Sequence, residues 1–234
     1  LYVDKTALIY QLVQTGKYYF LSRPRRFGKS LLLSTLQAYY EGKKELFDGL
    51  AMASLEKDWK TYPVLHLDLN ARRYEDVHSL VAILNQHLES WEAVYGDEKK
   101  DRAPEERFAY LIEKICRETG QKVVVLIDEY DKPMLQAIHN KELQSSYRNI
   151  LKAFYGVLKS KDAYLQFALL TGVTKFSKVS VFSDLNNLMD ISMDNRYAAI
   201  CGITEQELVA DLGEYICDLS ETLQMSYEDL LREL

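Results

Sequence analysis

Three consecutive residues, Gly28, Lys29 and Ser30, combine a permissive backbone, a cation and a hydroxyl directly before a helical pattern. Amides at a helix start point outward without partners, and glycine lets an anion approach them closely. The lysine can reach the β- and γ-phosphates of a nucleotide, and the serine hydroxyl is a ligand for Mg²⁺. These types in this order predict a phosphate-binding loop, although a tripeptide alone also occurs by chance.

A second pair of reactive residues strengthens this prediction. The apolar run at residues 123–127 ends in Asp128 and Glu129. An acid at the end of a buried strand suits the Mg²⁺ shell, and the next acid can orient or deprotonate an attacking water. The alternative is that the two acids only cap the following turn. With a strand, Gly28, Lys29, Ser30 and a helix upstream, the metal and water roles are favoured.

The loop departs from the usual pattern GxxxxGK[ST], which places glycine where this chain has Arg23. Its opening must therefore take another geometry, for which Pro24 is the candidate determinant. Arg25 and Arg26 either add positive charge near the phosphates or are solvated or paired with acidic neighbours. The sequence leaves both alternatives open.

Further polar residues follow the strand ends. Thr171 or Thr174 would face the γ-phosphate if their strand lies beside the loop strand, and would then sense hydrolysis; otherwise they only end a strand. Asp131 is either a third acid of the site or a turn residue before Pro133. The polar loop at residues 183–187 is a candidate for the rim of the site, with no mechanism assigned.

Strands and helices alternate along the chain. Strands are predicted at residues 18–21, 64–69, 123–127 and 164–170, and helices at 7–13, 29–41, 77–91 and 143–158 and from Pro104. Thr204 opens a capping box for a further helix, with Leu208, Leu212, Tyr215, Ile216 and Leu219 expected to face inward, and Ser226 gives a weaker start signal. Such alternation predicts an α/β fold with a mostly parallel sheet, in which ligands bind beyond the carboxyl ends of the strands.

The composition of the chain limits the classes of function that it can have. The chain has 234 residues, 47% of them hydrophobic, and a net charge of −6, which speaks against a surface built to coat nucleic acid. Three scattered cysteines and four histidines show no metal-ligand spacing. The sequence shows no signal peptide and no apolar run long enough to span a bilayer. We therefore expect no membrane partner and a cytoplasmic location. The two ends read as those of a longer chain that was trimmed.

The motifs together resemble a known family, the bacterial AAA-ATPase-like proteins. The resemblance is carried by VDKT at residues 3–6, FLSRPRRFGKSL at 20–31, LIDEYDKP at 126–133 and TGVTKFS at 171–177. It covers essentially the whole chain, and arginine at position 23 is part of the family's own pattern. The expected nucleotide contacts are Arg25, Arg26, Phe27, Gly28, Lys29, Ser30 and Leu31, with Ser30 and Asp128 as metal ligands and Glu129, Lys29 and Thr171 as catalytic residues.

The resemblance also implies an architecture. It is similar to P-loop NTPases of the additional-strand type, a three-layer α/β/α sandwich with strand order 5-1-4-3-2, followed here by C-terminal helices. Residues 1–200 would form the ATPase core, and residues 201–234 would begin a helical lid or connector. In longer members a PD-(D/E)XK nuclease-like domain follows, and nothing in these residues represents it.

The expected function is Mg²⁺-dependent ATP hydrolysis by a conformational switch that acts on a partner or effector domain. The alternative is a nucleotide-gated binding module with negligible turnover. A small-molecule kinase on the same core is less favoured, because an Asp-Glu pair at a buried strand end suits water activation better. ATP over GTP rests on the resemblance alone. The residues leave open whether the protein forms a homo-oligomer and whether it binds nucleic acid.

Overall fold

The computed structural model describes residues 2–174 and 187–233, and its centre is a parallel sheet. The strands are Tyr18–Ser22 (β1), Val64–Asp68 (β2), Val123–Asp128 (β3), Leu165–Gly172 (β4) and Met189–Asp190 (β5). Every neighbouring pair is parallel, in the order β2-β3-β4-β1-β5. This is the order 5-1-4-3-2 expected from the resemblance, read from the other edge, and that expectation is confirmed.

Helices connect the strands and cover the sheet. They are Thr6–Thr15 (α1), Lys29–Tyr40 (α2), Ala51–Leu55 (α3), Val77–Tyr95 (α4), Pro104–Thr119 (α5), Lys132–Gln136 (α6), Lys141–Ser160 (α7), Glu205–Leu223 (α8) and Tyr227–Glu233 (α9). Short 3₁₀ turns lie at Lys44–Phe47, Asp162–Tyr164 and Asn195–Tyr197. Tyr164, expected to begin the fourth strand, belongs to the second of these turns.

Alternate residues of the central strands feed two hydrophobic cores. On β3, Val123, Val125 and Ile127 pack with the apolar faces of α4, α5 and α7. Val124 and Leu126 point to the opposite side, against α1 and α2. All six residues of β3 are buried, as a strand covered on both faces requires. The chain is therefore a three-layer α/β/α sandwich, as expected.

In α8, the sequence pattern predicts the helix correctly but not all of the residues that face inward. The capping box of Thr204 with Glu207 is formed and starts α8. However, Tyr215 is 62% exposed and Leu219 40% exposed, so the expectation that they face inward is wrong. Only Ile216 of the expected face is buried, because α8 packs mainly against the short helix α9, which is too small to cover its whole apolar stripe.

Among residues 2–174 and 187–233, every helix is too short or too polar to cross a bilayer.

Candidate functional site

The predicted phosphate loop joins the end of β1 to the start of α2. Gly28 caps α2 with φ at +89°, in the left-handed region, which explains why this position favours glycine. Arg26 also has a positive φ, +63°, so the loop is tightly curled before the helix. The first turn of α2 has no acidic side chain. Its amides and helix dipole therefore offer a favourable environment to an anion.

Lys29 is held across this loop rather than extended into solvent. Its side chain is buried, and Nζ donates hydrogen bonds to the carbonyl oxygens of Arg23 and Pro24, each at 3.2 Å. Nζ also lies 3.2 Å from Oε1 of Glu129. An ammonium group has three protons to donate, and these three acceptors can engage all of them. The predicted cation and the predicted water-activating acid thus form an ion pair with each other.

The two predicted metal ligands meet at the end of β3. The hydroxyl of Ser30 donates to Oδ2 of Asp128 at 2.5 Å, and Asp128 is 4% exposed. The other carboxylate oxygen, Oδ1, accepts from the hydroxyl of Thr171 at 2.6 Å and from the amide of Glu129 at 3.0 Å. Ser30 lies in the first turn of α2, after β1, and Asp128 is the last residue of β3. These two strands flank β4, and parallel strands end at the same edge of the sheet.

This hydroxyl–carboxylate pair fits Mg²⁺. Within the two described ranges, His, Cys, Asp and Glu nowhere gather in a group of three or more that could hold a metal. Mg²⁺ does not need such a group, since it usually keeps several waters and takes one or two protein oxygens together with substrate phosphates. Ser30 and Asp128 are the residues that would hold it.

Thr171 lies behind the site rather than at its surface. It is fully buried, and its hydroxyl is committed to Asp128. The structure brings it to the site through β4, which pairs with both β1 and β3. Any effect of Thr171 on nucleotide must pass through the Asp128 carboxylate, and its role as a sensor stays a prediction.

Asp131 is neither a third acid of the cleft nor a simple turn residue. It is fully buried, and its Oδ2 accepts from the amide of Thr174 at 2.6 Å and from the hydroxyl of Thr174 at 2.5 Å. The amide of Val173 donates to the same carboxylate at 3.1 Å. Asp131 therefore fixes the chain leaving β4 onto the chain leaving β3. Of the predicted rim loop 183–187, residues 183–186 lie outside the described part of the chain, as do residues 175–177 of the fourth motif.

A cleft of about 560 Å³ is lined by Lys29, Ser30 and Glu129, among other residues. One wall contains most of the predicted contacts: Arg25, Arg26, Gly28, Lys29, Ser30 and Leu31. The other wall contains the predicted Glu129 and four residues that sequence reasoning missed: Asn70, Lys132, Leu135 and Gln136. Asn70 follows the end of β2, and this place next to a strand end was the signal available for it. Lys132 is held in place by hydrogen bonds to Asn70.

Arg25 and Arg26 are exposed at the cleft. No acid in the described residues lies within ion-pair distance of either guanidinium. Pairing with acidic neighbours is therefore not seen in this part of the structure. A role in adding charge near the phosphates and simple solvation both stay open. Phe27 does not line the cleft; it lines a neighbouring apolar cavity.

Arg23, the residue in place of the usual glycine, anchors the loop rather than contacting the cleft. Its amide donates to the carbonyl oxygen of Gly172 at 3.1 Å. Its guanidinium donates to the carbonyl oxygens of Ser192 at 2.6 Å and Tyr197 at 3.3 Å. The side chain therefore fastens the beginning of the phosphate loop to the segment that follows β5, which glycine could not do.

The fold and this site define an α/β protein of the P-loop type: a parallel sheet of this order, helices on both faces, and a Gly-Lys-Ser turn at the end of β1. The chain belongs to the family described as predicted AAA-ATPase, whose model matches residues 1–182. Membership indicates nucleotide binding, and the family resemblance seen in the sequence is confirmed.

One curated relative is much longer than the part of it that matches this chain. An uncharacterized protein in the vnfD 5' region of Azotobacter chroococcum mcd 1 is 44% identical over 210 residues. The match covers 89% of this chain but 40% of that protein. The chain thus spans about 40% of the length of this relative.

Proposed function

We propose that the chain binds ATP with Mg²⁺ in this cleft and hydrolyses it, using the cycle as a conformational switch. The observation that carries the proposal is the meeting of Lys29, Ser30, Asp128 and Glu129 at one edge of the sheet. Lys29 and Ser30 begin α2, and Asp128 and Glu129 lie at the end of β3. Together they supply a cation, a metal-binding oxygen pair and a base, with Asp128 buried beneath the cleft that the other three line.

Each residue has a distinct task in the proposed reaction. The β- and γ-phosphates take the place of Glu129 as partners of Lys29, and the first-turn amides of α2 hold the phosphate oxygens. Arg25 and Arg26 add charge at the rim. Bound Mg²⁺ would neutralise charge on the β- and γ-phosphate oxygens.

Glu129, released from Lys29, accepts a proton from water. The water oxygen bonds to the γ-phosphorus, the bond from phosphorus to the β–γ bridging oxygen breaks, and ADP and phosphate leave. The proton on Glu129 returns to solvent. Thr171 keeps the Asp128 carboxylate oriented while this occurs.

A second candidate function follows from the Lys29–Glu129 ion pair. In the described arrangement the base is engaged by the cation, so a protein that keeps this pair after nucleotide binds would hold ATP with negligible turnover. Such a nucleotide-gated binding module would signal by occupancy alone.

Steady-state phosphate release separates the two functions. Wild-type protein with Mg²⁺ and ATP is compared with a Glu129→Gln variant, and with Glu45→Gln, which removes the same charge from an exposed position away from the cleft. If the protein is an ATPase, wild type and Glu45→Gln should release phosphate, and Glu129→Gln should not. Equal rates in wild type and Glu129→Gln would refute hydrolysis at this site.

The proposed switch has a core in residues 1–200 and a lid or connector that begins at residue 201. It would act on a partner or on an effector domain such as the nuclease-like domain of longer members. The support is the exposed apolar stripe of α8, which leaves surface for a further contact.

A further inference from the structure

Lys132 is a second lysine of the phosphate cleft, on the wall opposite the loop that carries Lys29. Its backbone is firmly placed, because it stands between the fully buried Asp131 and the buried Pro133. Its amide donates to the carbonyl oxygen of Glu129 at 3.0 Å. Glu129 itself has φ at +52°, in the left-handed region. This tight turn brings the side chains of Glu129 and Lys132 to the same wall of the cleft.

The charge of Lys132 is held by neutral groups. Its Nζ donates hydrogen bonds to the backbone carbonyl oxygen of Asn70 and, at 2.7 Å, to Oδ1 of the same residue. Among residues 2–174 and 187–233, no carboxylate lies within ion-pair distance of this ammonium group. An ammonium group has three protons to donate, and Asn70 engages two of them. Lys132 therefore keeps one donor and its full charge for a ligand in the cleft.

A phosphate oxygen is a stronger partner for Lys132 than Asn70 is. Hydrogen bonds between ionised groups are shorter and roughly twice as strong as those between neutral groups. Asn70 is exposed, so water can hydrogen-bond to its oxygens once the lysine has left them. An anion in the cleft can therefore replace Asn70 as the partner of Lys132.

The position of Lys132 favours the γ-phosphate over the other phosphates. In the proposed function, Lys29 and the first-turn amides of α2 hold the β- and γ-phosphates from the side of the loop. Glu129 must lie close to the γ-phosphate to activate the attacking water. Lys132 lies one turn beyond Glu129 on the same wall. It therefore meets the phosphate that ATP has and ADP lacks.

Asn70 begins the loop between β2 and α4, so the contact with Lys132 also holds this loop. The other attachment of the loop to α6 is made by Tyr74, whose amide donates to Oε1 of Gln136 at 2.8 Å. Lys132 and Gln136 are the two ends of α6. Residues 71–73, between the two attachments, are exposed. Without the contact to Asn70, the loop is attached to α6 only at the buried Tyr74.

We propose that Lys132 binds the γ-phosphate of ATP and leaves Asn70 in doing so, which releases residues 70–73. The loop after β2 is then the part of the chain that responds to ATP and not to ADP. The inference rests on the proposed function, because it requires a nucleotide in this cleft. Arg72 and Arg73 are both exposed in the released segment, so a basic surface changes with the state of the nucleotide.

The test compares ADP with the β,γ-imido analogue of ATP, which has a γ-phosphate and is not hydrolysed. Affinities are measured by calorimetry with Mg²⁺ for wild type and Lys132→Met. Lys44→Met is the matched control, since it removes the same charge from an exposed position outside the cleft.

Lys132→Met should weaken binding of the analogue by about 10- to 100-fold, the net strength of a hydrogen bond to a charged group, and leave ADP binding within about threefold. Retained ADP binding also shows that the variant is folded. Lys44→Met should match wild type with both ligands. The inference is overturned if Lys132→Met binds the analogue as wild type does, or if it loses ADP as much as the analogue. If wild type binds neither nucleotide, the proposed function itself fails.

A fluorophore at position 72 reports on the loop. Arg72→Cys is combined with Cys116→Ser and Cys217→Ser; the remaining Cys201 is buried, and burial raises the pKa of its thiol to about 11, which disfavours labelling there. The anisotropy of emission should fall with the analogue and not with ADP, since only the analogue releases the loop. With Lys132→Met added, it should be low with both ligands. Equal anisotropy with ADP and the analogue in the protein that keeps Lys132 would overturn the release of the loop.

Discussion

Replacing Glu129 by glutamine should tighten ATP binding as well as stop hydrolysis. In the structure the carboxylate of Glu129 lies 3.2 Å from Nζ of Lys29, and both side chains are largely buried, at 17% and 3% exposure. A phosphate group must displace this carboxylate to reach Lys29. It must also approach a negative charge. The amide of glutamine binds Lys29 less tightly than the carboxylate does, so it is easier to displace. It also has no negative charge to repel the phosphate.

The size of the gain follows from the geometry. Two unit charges 3.2 Å apart attract by about 5 kcal/mol at an effective dielectric constant of about 20, and desolvation of the two groups offsets much of this. The net contribution of a hydrogen bond to a charged partner is about 1.5–3 kcal/mol, against about 0.5–1.5 kcal/mol for a neutral one. Replacing the charged partner by the neutral one weakens the hold on Lys29 by about 1–1.5 kcal/mol, which corresponds to an ATP affinity about 5- to 12-fold higher.

Calorimetry with Mg²⁺ and ATP measures this gain, with Glu45→Gln as the control for loss of one negative charge. The reasoning is refuted if Glu129→Gln binds ATP no more tightly than the control does. If the variant cannot bind nucleotide at all, Glu129 is structural.

Other substitutions test separate parts of the site. Lys29→Ala should abolish ATP binding, because it removes the principal phosphate cation, and unchanged affinity by calorimetry would count against the whole site. Arg23→Met should lower the free energy of unfolding by about 1–3 kcal/mol in urea titrations, since buried carbonyl oxygens lose their donors; no change would mean that water replaces them. Asp131→Asn should cost about 2–4 kcal/mol, because a fully buried carboxylate loses charge-assisted bonds to backbone amides, and a loss no larger than that of an exposed Asp→Asn would contradict this. Burial alone would raise the pKa of Glu207, but the hydrogen bond from Lys5 helps to hold it below its usual value. The associated stability is then present above the unfolded-state pKa and lost as pH falls through the lowered pKa, so thermal melts from pH 6 to 3 should show a smaller decline in Glu207→Gln.

Much of the fold could be predicted because its signals are local. The continuous apolar run at residues 123–127 predicted a strand buried on both faces, and β3 is one. The Thr204 capping box predicted where α8 begins. The strand β5, only Met189–Asp190, had no such signal, because two residues carry no periodicity.

The sequence predicted which residues lie at the candidate site better than it predicted which of them contact one another. Parallel strands end at one edge of the sheet, so Ser30 and Asp128 could be expected near each other before any contact was known. That Lys29 pairs with Glu129, or that the guanidinium of Arg23 holds the segment after β5, depends on side-chain directions that no spacing in the chain encodes.

By itself, the sequence determined the class of protein and predicted the phosphate loop and the acids of the site, because glycine before a lysine at a helix start and acids after an apolar strand are local signals. Only the tertiary structure decided which polar groups are engaged with one another and where an apolar cavity lies. The pair of Lys5 and Glu207, 202 residues apart, shows why. Contacts between distant segments are set by how the layers pack on the sheet, and packing is a property of the whole chain.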